Sequence, residues 1–158
     1  MPTFVHLTPA KDLKRIVRSG IKHGGRGVFC MPVLPNYYIS HQWIRELKRR
    51  GQRTIVGVYF TLPDEELVWV GHYFQAHTQV TAAEASRVIR DAPRVEGFEV
   101  IVTRAIPPGD IQKVRAVPQV MGWRYMPDSH SRVPCLCPYC IRGDIKSQRR
   151  RRRTRSTR

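Results

Sequence analysis

Seven residues, Thr54-Ile55-Val56-Gly57-Val58-Tyr59-Phe60, run without a charge and are rich in branched and aromatic side chains. That is the composition of a buried β-strand. A buried strand needs backbone partners and cover, and shorter runs of the same kind supply the partners. Val28-Phe29-Cys30, Leu67 to Val70, Phe98 to Ile106 and Gln112 to Val117 read as further strands. Three segments read as helices. Thr8-Pro9 has the form of an N-cap followed by proline at the first helical position. Leu13, Ile16 and Val17 then share a face, and Gly20 is the stop, so this helix runs from about Pro9 to Ser19. A second is predicted from Asn36 to Arg50, with Tyr37, Ile44 and Leu47 near one face, Gly51 closing it and Lys48-Arg49-Arg50 suiting its dipole. Thr81 and Glu84 form a capping box for a third, through Arg90. Lys22 to Arg26, with its glycines, is a loop. Strands and helices mix without regular alternation and without an internal repeat, which predicts an α+β fold around a central, largely antiparallel sheet.

At 158 residues and 41% hydrophobic content the chain can bury the core of one domain. Its net charge of +16 is uneven, because residues 142–158 hold nine of the 28 Lys and Arg and one of the 12 acids. Residues 1–141 still carry +8. Such a field attracts polyanions such as RNA, DNA or an anionic membrane. The run Arg149, Arg150, Arg151, Arg152, Arg153 is expected to be disordered alone and to bind phosphates by counterion release. A nuclear address, an acidic partner such as an antitoxin, and a solubilising end compete with that reading. No stretch of about 18 apolar residues occurs, nor the charged start and apolar segment of a signal peptide, so a soluble, cytoplasmic chain with no membrane partner is expected.

Cys135, Cys137 and Cys140 crowd together, unlike a disulfide framework spread over a secreted domain. Cys137-Pro138-Tyr139-Cys140 matches the glutaredoxin redox sequence, but that motif belongs after the first strand of a βαβ unit. Structural zinc held by Cys135, Cys137 and Cys140, with His130 or Cys30 as fourth ligand, is the alternative to free thiols. The expected organisation is a domain over 1–128, a cysteine-rich segment over 129–142 and an arginine-rich tail over 143–158.

Four stretches taken in order carry a resemblance. His6-Leu7-Thr8, the helix ending Ser19-Gly20, and Gly25-Arg26-Gly27-Val28-Phe29 resemble the opening of ADP-ribosyltransferases of the His-Tyr-Glu type. Glu99-Val100-Ile101-Val102, followed by Ile106 and Pro107, resembles the strand that begins with their catalytic glutamate. The similarity spans roughly residues 4–117 and implies a split, largely antiparallel sheet and NAD as a substrate. It also implies that Glu99 bonds the nicotinamide ribose and stabilises the oxocarbenium-like state, that His6 bonds the adenosine ribose, and that the backbone of Leu7 holds the nicotinamide amide. Thr8 either assists there or only caps its helix. Taken singly, His6 also fits a strand histidine bonded to backbone, and Glu99 a charge at a strand edge.

The family's stacking tyrosine falls here near Ser40, so Tyr37 and Tyr38 are the candidates. Tyr38 is favoured because Tyr37 shares the face of Ile44 and Leu47; both also fit core aromatics. Leu7 stands where the family has glycine. Arg26, beside Gly27, either meets the NAD pyrophosphate or is a solvated loop charge. Glu96 and Glu99 are spaced by three rather than the two of arginine-modifying relatives, which argues against an arginine acceptor. The expectation is a mono-ADP-ribosyltransferase acting on RNA or DNA, similar to toxins of toxin–antitoxin and phage-defence systems. The alternatives are an RNA 2′-phosphotransferase, which shares the fold, and a noncatalytic zinc-stabilised RNA-binding protein that stacks bases on Trp123-Arg124-Tyr125.

Overall fold

A computed structural model describes residues 1–73 and 75–123. Among them, β1 (Thr3–Pro9), β2 (Val28–Pro32), β3 (Ile55–Thr61), β4 (Leu67–His72), β5 (Thr78–Thr81), β6 (Phe98–Val102) and β7 (Ile111–Ala116) form one antiparallel sheet in the order β5-β4-β6-β2-β1-β3-β7. The α+β class with an antiparallel sheet is therefore as expected. The charge-free run is β3, inside the sheet between β1 and β7, with Ile55 through Phe60 buried.

One face of the sheet carries Phe4, Val58, Phe60, Val28, Val68, Val70, Val100 and Val102, all within the main core. Helix α4 (Ala82–Asp91) packs on β4 and β2 and buries Ala82, Ala85 and Ile89. An isoleucine buried in this way contributes about 1.5–3 kcal/mol. The Thr81 hydroxyl accepts from the Glu84 amide at 3.2 Å, so the predicted cap is present. Helix α1 (Leu13–Ser19) adds Ile16 and stops at Gly20, whose φ of 78° suits glycine. A side chain at Gly20 would also strike the Ile106 carbonyl, which bonds the Ile21 amide at 2.9 Å.

Three local expectations need correction. Thr8 caps nothing: it is buried in β1 opposite Val56, Pro9 ends the strand, and a 3-10 turn over Ala10–Asp12 precedes α1. The pairing of β1 with β3 outweighs the local capping signal. The segment from Asn36 to Arg50 forms two helices, α2 (Tyr37–Ser40) and α3 (Ile44–Arg49). Between them His41 and Gln42 turn inward, each at or below 1% exposure, to bond other parts of the chain. The strand expected from Phe98 to Ile106 stops at Val102, and Ile106 makes a separate bridge with Ile21.

The sheet is not uniformly paired. β1 meets β3 along its whole length, Thr3 to Pro9, but meets β2 only through Phe4 and Val5. From His6 onward β1 and β2 part, and that opening positions the candidate site.

Candidate active site

The opening exposes specific backbone groups. The Thr3 carbonyl accepts from the Val33 amide on the β2 side, whereas the Ala10 amide reaches the Thr54 carbonyl on the β3 side. Backbone groups alternate along a strand. The odd residues of β1 therefore address β2, and Leu7 is the first of them beyond the last paired position. Its N–H and C=O point into the seam, where β1 and β2 form no ladder pair among the described residues. Its side chain packs away with Ile44, Ile55, Val117 and Leu47.

His6 stands at the mouth of this seam. Its Nδ1 lies 2.7 Å from the Phe29 carbonyl of β2. A carbonyl only accepts, so Nδ1 carries the proton and the neutral ring offers Nε2 as an acceptor. Burial holds His6 below the usual imidazole pKa, against the pull of that bond, which keeps the ring neutral. Among the described residues nothing bonds Nε2.

Glu99 sits at the second position of β6, across β2 from His6. The registers Val5↔Met31, Cys30↔Val100 and Gly71↔Glu99 put Glu99 on the face of Val5 and Leu7, whereas His6 belongs to the opposite face and reaches the seam with its ring. The two candidates thus flank one strand, two strand spacings apart, about 10 Å. Gly71 opposite Glu99 leaves room for His77, whose Nε2 lies 3.1 Å from Glu99 Oε1. That is ion-pair distance, although the angle is poor for a hydrogen bond. Burial pushes the Glu99 carboxyl up, and His77, Arg26 and Arg50 pull it back. Arg26 lies over the Phe29 ring at 5.3 Å, so one strand residue touches both halves of the site. Gly27, with φ 124°, lets the start of β2 approach β6: a Cβ there would lie 2.4 Å from the Val102 carbonyl oxygen.

The chain before Glu99 is clamped from below. Gln42 accepts from the Gly97 amide at 2.7 Å and donates to the Val95 carbonyl at 3.0 Å, and Trp43 Nε1 donates to the Phe98 carbonyl at 2.8 Å. The broken helix is therefore what holds this segment.

Tyr37 and Tyr38 lie on different surfaces. The Tyr37 ring stacks on His41 at 3.8 Å, and His41 Nδ1 donates to the Tyr37 carbonyl at 2.8 Å. That leaves His41 Nε2 to accept from the Tyr59 hydroxyl at 2.7 Å. Burial, with Tyr37 alongside, pushes Tyr59 up to about 12. Tyr37 is 43% exposed and shares no face with Ile44 and Leu47, because the two helices are separate; the ground for preferring Tyr38 is removed. Tyr38 instead lines a groove of about 770 Å³ with residues that include Glu96, Phe98 and Trp123, but neither His6 nor Glu99.

The Thr8 side chain is only 4% exposed in β1. Cys30, a proposed fourth zinc ligand, is buried in the apolar core, and burial together with the Glu66 charge raises its thiol far above the ordinary range. Among the described residues no group of three His, Cys, Asp or Glu is placed to hold a metal. His130, Cys135, Cys137, Cys140 and the arginines at 149–153 lie outside the described residues. Among those described, no helix is long and apolar enough to cross a membrane.

His77, Arg50, Gln42 and the His41–Tyr59 pair carry no motif spacing in the sequence. Only the fold brings them to the site. No protein-family model, curated protein or solved structure matches this chain.

Proposed function

We propose that the seam between β1 and β2 binds NAD and that the protein transfers ADP-ribose from it to nucleic acid. The observation that carries this reading is the parting of β1 and β2 after Val5, which leaves the Leu7 N–H and C=O outside the ladder, with the His6 imidazole in the gap and the Glu99 carboxylate across β2. A carboxamide offers one donor face and one acceptor, which an unpaired strand edge matches in kind. His6 Nε2, an acceptor in the neutral ring, suits a ribose hydroxyl. Glu99, half-buried, suits as a carboxylate the cationic sugar that forms as the bond breaks. Tyr37, anchored on His41, is the firmer of the two tyrosine platforms for the departing ring.

In the proposed step the bond between ribose C1′ and the nicotinamide nitrogen breaks, and its electron pair leaves with nicotinamide. An oxygen or nitrogen of the acceptor bonds C1′, and its proton passes to the Glu99 carboxylate and then to water. Nucleic acid is the proposed acceptor because the chain is strongly basic even before its arginine-rich end. A toxin or defence role, with an acidic inhibitor as partner, follows from the resemblance alone.

Incubation with NAD and mixed RNA and DNA tests this reading. Free nicotinamide should be released, and mass spectrometry should find ADP-ribose on the nucleic acid. Glu99→Gln should lower both roughly 100- to 1,000-fold, the loss typical when one group stabilising a transition-state charge is removed. Undiminished release in that variant overturns the assignment of Glu99.

A further inference from the structure

The groove beside Tyr38 is separate from the seam, and its chemistry is different. Tyr38, 37% exposed, lines it together with His72, Phe98 and Trp123. His72 meets Phe98 at 84° and Trp123 at 79°, so the rings set edges against faces and build a concave aromatic lining. Arg94 and Glu96 stand among them, and Arg94 makes no ion pair among the described residues. The floor is fixed: Gln42 holds Val95 and Gly97, and its carbonyl accepts from the Trp123 amide at 2.7 Å.

We propose that this groove takes an unstacked base of single-stranded nucleic acid. Aromatic faces bind any base, a guanidinium pairs with base oxygens or phosphate, and a carboxylate accepts from an exocyclic amino group. A base inside a duplex presents its edge and not its face, so a concave ring-lined site selects single strands. From Trp123 the chain continues toward the run at 149–153, whose charge supplies phosphate affinity without choosing a sequence. Successive strand residues point to opposite faces, so Phe98 in the groove and Glu99 lie on the two sides of β6. The groove therefore holds a base near the acceptor and not the reacting one. That placement rests on the transferase reading; the binding itself does not.

The experiment measures fluorescence anisotropy of labelled strands of about a dozen nucleotides, namely oligo(C), oligo(U), oligo(dC) and oligo(dT), beside a duplex of equal length at one salt concentration. Tyr38→Ala and Arg94→Ala should each weaken single-strand binding roughly five- to 100-fold and leave duplex binding within about twofold. Glu96→Gln should erase a preference for C over U. The RNA and DNA arms identify which strand is favoured. Equal losses on single strand and duplex, or no loss in either variant with the melting temperature unchanged, overturn the proposal. Arg94→Ala should leave nicotinamide release without nucleic acid unchanged. Strand selectivity without any nicotinamide release sinks the transferase reading and keeps the groove; release with indifferent variants does the reverse.

Discussion

The two edges of β1 have opposite fates. Toward β3 every residue from Thr3 to Pro9 has a partner, and that side holds the unbroken buried run of Val56, Val58 and Phe60. Toward β2 the pairing ends after Val5. The zipped edge stabilises, whereas the open one leaves backbone groups without a ladder partner among the described residues. The candidate site lies where β1 and β2 part.

Leu7→Pro is the sharpest way to break this contrast. Proline removes one N–H, and at Leu7 that N–H faces the seam and not the β3 ladder, so the sheet keeps its bonds. NAD turnover should fall roughly 10- to 100-fold, matching about 1–3 kcal/mol for a polar group left without its partner. Leu7→Ala, which keeps the N–H and loses side-chain packing against the main core and the Ile44, Ile55 and Val117 cluster, is the control, and circular dichroism checks the fold. Equal activity in the two variants would show that the open edge is structural. His6→Ala comes next. It leaves the Phe29 carbonyl without its donor, so the melting temperature should drop by the equivalent of about 1–3 kcal/mol. The KM for NAD should rise several-fold while kcat changes less. A fall in stability with an unchanged KM would reduce His6 to a strut across the seam.

Much of this layout was legible in the chain, and the illegible parts share a cause. Runs such as Thr54 to Phe60 and Val100 to Val102 read correctly because a buried strand is a local pattern of branched residues. The Thr81–Glu84 cap and the Gly20 and Gly51 stops read correctly for the same reason. Thr8-Pro9 misled because a local capping signal lost to seven registered strand pairs. The Asn36–Arg50 helix breaks at His41 and Gln42, whose partners Tyr59, Val95 and Gly97 are distant in sequence. At the site, His6 and Glu99 stood out by order and setting. The opening between strands did not, since the point where two strands part is written in neither. His77 came to Glu99 from a connection with no spacing rule at all.

The smallest predicted effect concerns pH, and it separates the Glu99 side of the seam from the His6 side. Burial raises the Glu99 carboxyl, so the acidic limb of the activity profile should lie above the ordinary carboxylate range. His77 is the largest influence opposing that rise. Its replacement, His77→Gln, should move the limb to higher pH, with little change on the plateau. Stability follows with the opposite sense for the two residues. The folded protein holds the Glu99 proton more tightly than the unfolded chain, so this group's contribution is present below the unfolded value and is lost as pH rises through the folded one. Glu99→Gln should therefore gain stability relative to the parent above that limb. His6 is held below its usual value, so the neutral ring's contribution is present above about 6.5 and is lost as pH falls through that value toward the folded one. Melting temperatures across pH for the parent, Glu99→Gln and His6→Ala measure both. A limb that stays fixed in His77→Gln would mean that the 3.1 Å contact does not tune the carboxylate.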